Sequence, residues 1–465
     1  MAGKIKPENR KTRTRFRNLL VLLFVFILII GLPYLILSYQ AGKNGSTPGE
    51  VLKWMMSRES TTDSLSAGQS KNVTYGEKID FLMPQHVGLE FKEPPMISNL
   101  AVTDLDKDGF PEIIVCDAKN NLVSWLRQPD AGIYDEKVLA DDILAPAHAS
   151  VIDIDKDGDE DILVASLGLI FPSNDKIGSV IILENDGNCN FVKHVVIQDI
   201  ARVSDVRAGD LDNDGDMDLA VGQFGYDDGE TRWMENLGNW QFRSHILQNL
   251  SGPVNVEILD IDRDGDLDII SLVTQEWEQI FCYINDGKAK FQIRLIWGSD
   301  NEDFGSSGIY IYDFNRDGLQ DILYTNGDAF DYIPPSGRPW HGVQWLENKG
   351  NMNFEFHRIC TFIGAYSARP ADIDNDGDDD LFAISGFNLW DNPQSQSFIW
   401  IENIDYKSFR IHDIASNPTH IITLESGDFN NDGLTDFVTG GMHAYEPFDR
   451  MGRVTLWTNN GILNK

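Results

Sequence analysis

Residues 210–218 read DLDNDGDMD, and strings of the same form recur along the chain. They begin at Asp104 (DLDKDGFPE), Asp153 (DIDKDGDED), Asp210, Asp260 (DIDRDGDLD), Asp313 (DFNRDGLQD), Asp372 (DIDNDGDDD) and Asp428 (DFNNDGLTD). Seven copies spaced about 50–60 residues apart mark an internal repeat, and a period of this size belongs to stacked or radial repeat architectures.

More of each unit recurs than the acidic string. An apolar run follows it, as with Ile113, Ile114 and Val115. Next comes a Trp-x-Glu-Asn element, clearest from Trp233, Trp345 and Trp400, with weaker copies from Trp125, Ile182, Cys282 and Trp457. After a turn, a Phe-x-x-His strand appears, pairing Phe191 with His194, Phe242 with His245, Phe354 with His357 and Phe409 with His412. Their shared register makes these histidines structural. Each unit thus holds four short strands bounded by Gly, Asn and Asp turns. Four strands per unit of this length predict an all-β, seven-bladed β-propeller with four-stranded blades. A lone sheet would leave both faces wet, whereas radial stacking buries the recurrent Trp, Phe and Ile. The last unit lacks its Phe-His strand, and residues 86–91 precede the first string by the matching interval. A strand within 80–92 is therefore expected to complete the seventh blade.

The acidic string has the chemistry of a calcium loop. Ca²⁺ takes six to eight hard oxygen ligands, and alternate side chains at positions 1, 3 and 5 can converge on one centre. Position 7 offers a carbonyl, an acid at position 9 closes the shell, and Gly at position 6 permits the turn. In the first unit these acids are Asp104, Asp106, Asp108 and Glu112; in the second, Asp153, Asp155, Asp157 and Asp161. The third has Asp210, Asp212, Asp214 and Asp218, and the fourth has Asp260, Asp262, Asp264 and Asp268. The fifth has Asp313, Asn315, Asp317 and Asp321, the sixth Asp372, Asp374, Asp376 and Asp380, and the seventh Asp428, Asn430, Asp432 and Asp436. An EF-hand would need Glu at position 12 and flanking helices, but position 12 is apolar here, as at Val115 and Val221. Up to seven structural calcium sites are expected, weaker in the fifth and seventh loops, where Asn replaces an acid.

These units resemble the FG-GAP and VCBS repeats, which include the propeller of integrin α subunits. The resemblance covers about residues 80–465 and rests on the acidic loop and the Trp-x-Glu-Asn element. It implies a calcium-bearing extracytoplasmic propeller used in adhesion or ligand recognition. The chain departs from the integrin pattern in keeping an acidic loop in every unit and in its weak Phe-Gly and Gly-Ala-Pro landmarks.

The chain has 465 residues and a net charge of −35, which argues against nucleic acid as a partner. Basic residues crowd positions 1–17, a segment expected to be cytoplasmic. The uncharged run from Leu19 to Leu37 is long enough to cross a bilayer. Residues 18–39 are read as an uncleaved signal anchor, with a cleaved signal peptide as the alternative. Residues 40–78 are read as a flexible stalk, and 79–465 as a monomeric propeller outside the cytoplasm, in the periplasm or at the cell surface. Cys116, Cys189, Cys282 and Cys360 fall in different units and are expected to be free, mostly buried thiols.

Alternation of strands puts the acidic loops and the Trp-to-Phe turns on one face. The opposite face receives the irregular insertions 168–178, 222–232, 325–342, 385–397 and 440–452, rich in aromatics. Tyr332, Trp340 and Trp390 from these insertions are candidate ligand-stacking residues. His148, Arg207, Glu257, Tyr310 and Arg369, on strands leading into the acidic loops, are candidates near the central channel, where Asp205 and Glu425 are also expected. The partner is expected to be a carbohydrate or protein, bound by an adhesion module. A polysaccharide lyase or hydrolase and a scaffold for membrane proteins are the alternatives. No G-x-S-x-G or H-E-x-x-H string is present, and no catalytic residue is assigned.

Overall fold

In a computed structural model, the structure describes Ser38 and residues 72–461, apart from 131, 331, 333 and 334. The basic segment, the membrane anchor and the stalk up to residue 71 lie outside the described residues, Ser38 excepted.

Seven sheets of antiparallel strands follow one another around a ring. Blade 1 runs outward through Ile97–Thr103, Glu112–Asp117, Leu122–Asp130 and Ile133–Ala140. Blades 2 to 5 repeat this order from Pro146–Ile152, Val203–Gly209, Pro253–Leu259 and Gly308–Tyr312 as innermost strands. Blades 6 and 7 begin at Ala365–Ala371 and Ile421–Gly427.

The second strand of each blade shows why the sequence chooses this form. In Glu112–Asp117 every residue is buried, because both faces of the sheet are covered. The strand's period of two divides its side chains between neighbours. Ile113 and Val115 join the cluster shared with blade 7, while Ile114 and Cys116 join the cluster shared with blade 2. In blade 6, Leu381 and Ala383 face blade 5, and Phe382 and Ile384 face blade 7. Each inter-blade junction holds one such cluster, so the core is a ring of seven interfaces. All four cysteines are free and buried in it.

Ring closure follows the expected plan. Leu82–His86 pairs antiparallel with Val454–Asn459 and becomes the outer strand of blade 7. The strand ends at His86 rather than extending toward Phe91, because Gly88, at φ +82°, turns the chain away. Blade 7 is then locked to blade 1 by Arg453, whose guanidinium binds Glu136 at 2.7 and 2.8 Å and lies 3.5 Å from Asp117.

One strand departs from the expected blades. Val73–Tyr75, within the segment read as stalk, pairs in parallel with Phe409, Arg410 and Ile411 and gives blade 6 a fifth strand. Gly76 allows this approach, since a Cβ there would stand 2.1 Å from the His412 ring.

Candidate functional site

The acidic loops all adopt one conformation. The glycine at position 6 has positive φ, from 84° at Gly318 to 101° at Gly377. Position 4 is also left-handed in every loop, at Lys107, Lys156, Asn213, Arg263, Arg316, Asn375 and Asn431, a strain the side-chain alternation did not reveal. In loops 1 to 5 and 7, position 1 accepts from the position-6 N–H, as Asp153 does from Gly158 at 3.0 Å. Carboxylate oxygens of Asp153, Asp155 and Asp161 lie within 4.8 Å of one another, as do those of Asp210, Asp212 and Asp218, of Asp260, Asp262 and Asp268, and of Asp104, Asp106 and Asp108.

The ninth residue does more than complete a ligand set. In loop 3, one oxygen of Asp218 accepts from the Leu211 N–H at 3.2 Å and the other from the Asn236 N–H at 2.8 Å. The same pair of bonds recurs at Asp161, Asp268, Asp321 and Asp436. Asn236 in turn donates to the Met217 carbonyl, which explains the Asn of the Trp-x-Glu-Asn element. Its Glu accepts from the recurrent histidine, as Glu402 does from His412 at 2.7 Å while Trp400 stacks on that ring at 4.3 Å. Those histidines are thus part of the blade fabric.

Burial raises the ninth carboxyl to about 6 at Asp161, Asp218, Asp268, Asp321 and Asp436, to about 7 at Glu112 and to about 8 at Asp380. Neighbouring acids of the same loop push in the same direction. The loop chemistry fits a hard divalent cation. Asp104 Oδ1, Asp106 Oδ1 and Glu112 Oε1 in loop 1, Asp210 Oδ1 in loop 3, and Asp372 Oδ1 and Asp380 Oδ2 in loop 6 are buried oxygens with no hydrogen-bond partner. A cation among them would offset a desolvation that is otherwise uncompensated. In loops 5 and 7 the Asn amides instead bond within the loop, Asn315 to Asp317 at 3.1 Å and Asn430 to Asp432 at 3.0 Å.

The loops also touch one another. Lys107 reaches the Gly158 carbonyl at 2.5 Å, Lys156 the Gly215 carbonyl, Asn213 the Asp266 carboxylate at 2.9 Å, and Arg316 the Gly377 carbonyl. The left-handed fourth residue is what aims each side chain at the next loop.

The central channel holds a cavity of about 570 Å³ lined by all seven innermost strands. It brings together five of the candidate ligand residues, His148, Arg207, Glu257, Tyr310 and Arg369, from blades 2 to 6. His148 Nδ1 lies 3.0 Å from Asp205, Arg207 lies 3.0 Å from Glu257, and Arg369 lies 2.6 Å from Glu425. The Arg369 guanidinium also sits 4.4 Å from the Tyr310 ring centre. The pairing of Asp205 with Arg207 and His148 outweighs its complete burial and holds its carboxyl below the usual range. Insertions from blades 2, 3, 5 and 7 contribute Phe171, Phe224, Phe330 and Tyr445 to the mouth, so the cavity belongs to the face opposite the acidic loops.

The other three candidates lie apart from this cavity. Trp390 is only 7% exposed and donates its indole N–H to the Gly386 carbonyl at 3.3 Å. Trp340 packs on the core between blades 4 and 5 and donates to the Asp303 carbonyl at 2.9 Å. Tyr332 is covered by Arg338, 3.6 Å from its ring centre. Aromatic content alone could not separate these capping rings from those at the cavity mouth.

Sequence reasoning also missed how the channel is sewn together. Five residues before four of the loops, side chains accept N–H groups of the next blade: Asn99 from Ala149, Asp205 from Val256, Asn255 from Ile309, and Thr423 from Leu100. The aligned position was visible, but its acceptor role needs the neighbouring backbone.

Comparison with known proteins bears on the repeat. Residues 104–164 and 153–221 match the family model of the FG-GAP-like repeat. The chain carries FG-GAP-like repeats. No curated protein matches the sequence. Solved structures similar to this chain include BBS1N in complex with ARL6DN, soaked with lead, at TM-score 0.46 and 9% identity over 77% of this chain and 91% of that one. The mercury-soaked form of the same complex has TM-score 0.43 and 10% identity over 77% and 90%.

Proposed function

We propose that the protein is a calcium-stabilised recognition or adhesion module, held at a membrane by its N-terminal segment, that takes a carbohydrate or protein ligand at the central cavity. The observation that carries this reading is the convergence of polar side chains from blades 2 to 7 in one cavity rimmed by non-repeating insertions. Concave sites with a few convergent polar groups and apolar walls are the usual places for ligands. The acidic loops, on the other face, act as staples whose cations hold the blade connections. The apolar run 19–37 behind a basic flank supports the membrane tether.

A screen of the full-length chain against glycan and extracellular-protein panels, with and without calcium, tests this. Binding that requires calcium and is lost when the cavity is filled by Ser150→Phe supports it. Binding indifferent to that substitution rejects the cavity as the site.

The His148–Asp205 pair favours a second reading, a polysaccharide-processing enzyme. A buried carboxylate 3.0 Å from an imidazole is a pair that acid–base chemistry could use. Release of products from a bound glycan, abolished by His148→Gln, would favour this reading over simple recognition.

A further inference from the structure

The channel wall is uneven at the position three residues before each acidic loop. Blades 3 to 7 place Arg207, Glu257, Tyr310, Arg369 and Glu425 there, whereas blades 1 and 2 place only Ala101 and Ser150. The small side chains leave room on one side, and the large polar groups crowd the other.

The charges on the innermost strands of this wall are already paired. Arg207 pairs with Glu257, Arg369 binds Glu425 through two nitrogens, and His148 lies against Asp205. Toward the mouth, Asp328 lines the wall, and Arg202 is held by the carbonyls of Leu169 at 3.0 Å and Ile170 at 2.6 Å. Three guanidiniums therefore stand against four carboxylates, with His148 beside them. An anionic ligand would meet the carboxylates, and a cationic one the guanidiniums. At the Arg207–Glu257 and Arg369–Glu425 pairs, either would have to part a pair and leave a poorly hydrated charge uncompensated, which is strongly unfavourable. A neutral hydroxyl can both donate and accept, so it can bond the edges of these pairs while leaving them intact. The paired side chains keep between 16% and 25% of their surface exposed, enough to be reached. Phe171, Phe224 and Phe330 at the mouth offer flat apolar faces to C–H groups.

We propose that the central cavity binds a short uncharged oligosaccharide, its hydroxyls on the Arg207–Glu257 and Arg369–Glu425 pairs and its body over Ala101 and Ser150. This rests on the cavity being the recognition site and adds the class of ligand. A volume of about 570 Å³ suits roughly two or three sugar rings.

The test is calorimetric titration of the full-length chain, in calcium, with neutral gluco- and xylo-oligosaccharides of two and three units. Uronate oligosaccharides and amine-bearing glucosamine oligosaccharides of equal length serve as comparators. The neutral set is expected to bind at least about tenfold more tightly than either charged set. Ser150→Phe should abolish that binding. The near-isosteric Glu257→Gln, which keeps the shape of the wall, should weaken it by about tenfold or more in titrations run well below the melting temperature of the variant. A preference for either charged set, unaltered affinity in both variants, or no binding of neutral sugars up to roughly 10 mM would overturn the ligand class. A protein ligand found in the wider screen and lost in Ser150→Phe would overturn the sugar while leaving the cavity as the recognition site.

Discussion

Asn431 of the seventh acidic loop donates its side-chain amide to the carbonyl of Gly109 in the first, at 2.9 Å. It is the contact that Lys107, Lys156 and Arg316 make with the glycine of their own following loops, here carried across the join of the ring. Asn431→Ala is expected to cost about 1 kcal/mol of stability, the usual net worth of such a bond. Because the loops touch through these side chains, the same substitution should make a calcium titration followed by melting temperature less steep. A titration curve of unchanged steepness would uncouple the loops.

A chelator should lower the melting temperature by removing cations that offset clustered carboxylates. The fifth and seventh loops are expected to contribute least, since Asn315 and Asn430 carry no charge and already bond within their loops. Asn315→Asp and Asn430→Asp should each lower stability in chelator and raise calcium affinity. Differential scanning calorimetry across a calcium series reads both effects. Equal melting temperatures with chelator and with calcium would remove the metal from the account of stability.

Arg453 ties the last blade to the first through Glu136 and Asp117, with all three side chains nearly dry. Arg453→Met should destabilise by about 3–5 kcal/mol, because it strands two buried carboxylates. Denaturant unfolding measures this. The double variant Arg453→Met with Glu136→Leu should recover part of the loss, which separates stranded charge from lost packing.

Glu278 gives a pH dependence with a definite sign. Its carboxylate accepts from the Gly305 and Ser306 N–H groups and the Ser306 hydroxyl, yet burial raises its pKa to about 8. Between about pH 4.5, where the unfolded group titrates, and about 8, the folded state binds more protons than the unfolded one. This group therefore makes stability fall as pH rises through that window. Glu278→Gln should flatten that part of a melting-temperature profile taken at saturating calcium. A profile of the same slope in the variant would assign the dependence elsewhere.

The blades were legible because each requirement left a local mark: acidic alternation for the loop, an apolar run for the doubly covered second strand, and an Asn to hold the loop's neck. Even ring closure could be read, from the missing outer strand after Trp457. The channel was legible only in part. Arg207, Glu257, Tyr310 and Arg369 stand three residues before their loops and His148 five before its own, all on the innermost strands, and they line one cavity. Asp205 and Glu425 belong to the same innermost-strand pattern, but which residues pair was not legible, because the partners sit one blade away, more than 50 residues along the chain. Trp340 and Trp390 lie away from the cavity, because an aromatic in an insertion can cap a core as readily as face solvent, and only packing distinguishes the two. The fifth strand of blade 6 was hidden for a simpler reason. Three residues, Val73 to Tyr75, are too few to show a period, and their backbone bonds require an edge supplied by Phe409–Ala415.

The first two described strands settle on neighbouring blades in chain order, Val73–Tyr75 on blade 6 and Leu82–His86 on blade 7. Tension applied from the N-terminal side would therefore reach the ring through the short parallel strand first. Only after that strand had peeled from blade 6 would load pass to the antiparallel strand that closes the circle. The arrangement works as a strain relief on a cable: a sacrificial grip in series ahead of the joint whose failure would open the whole propeller.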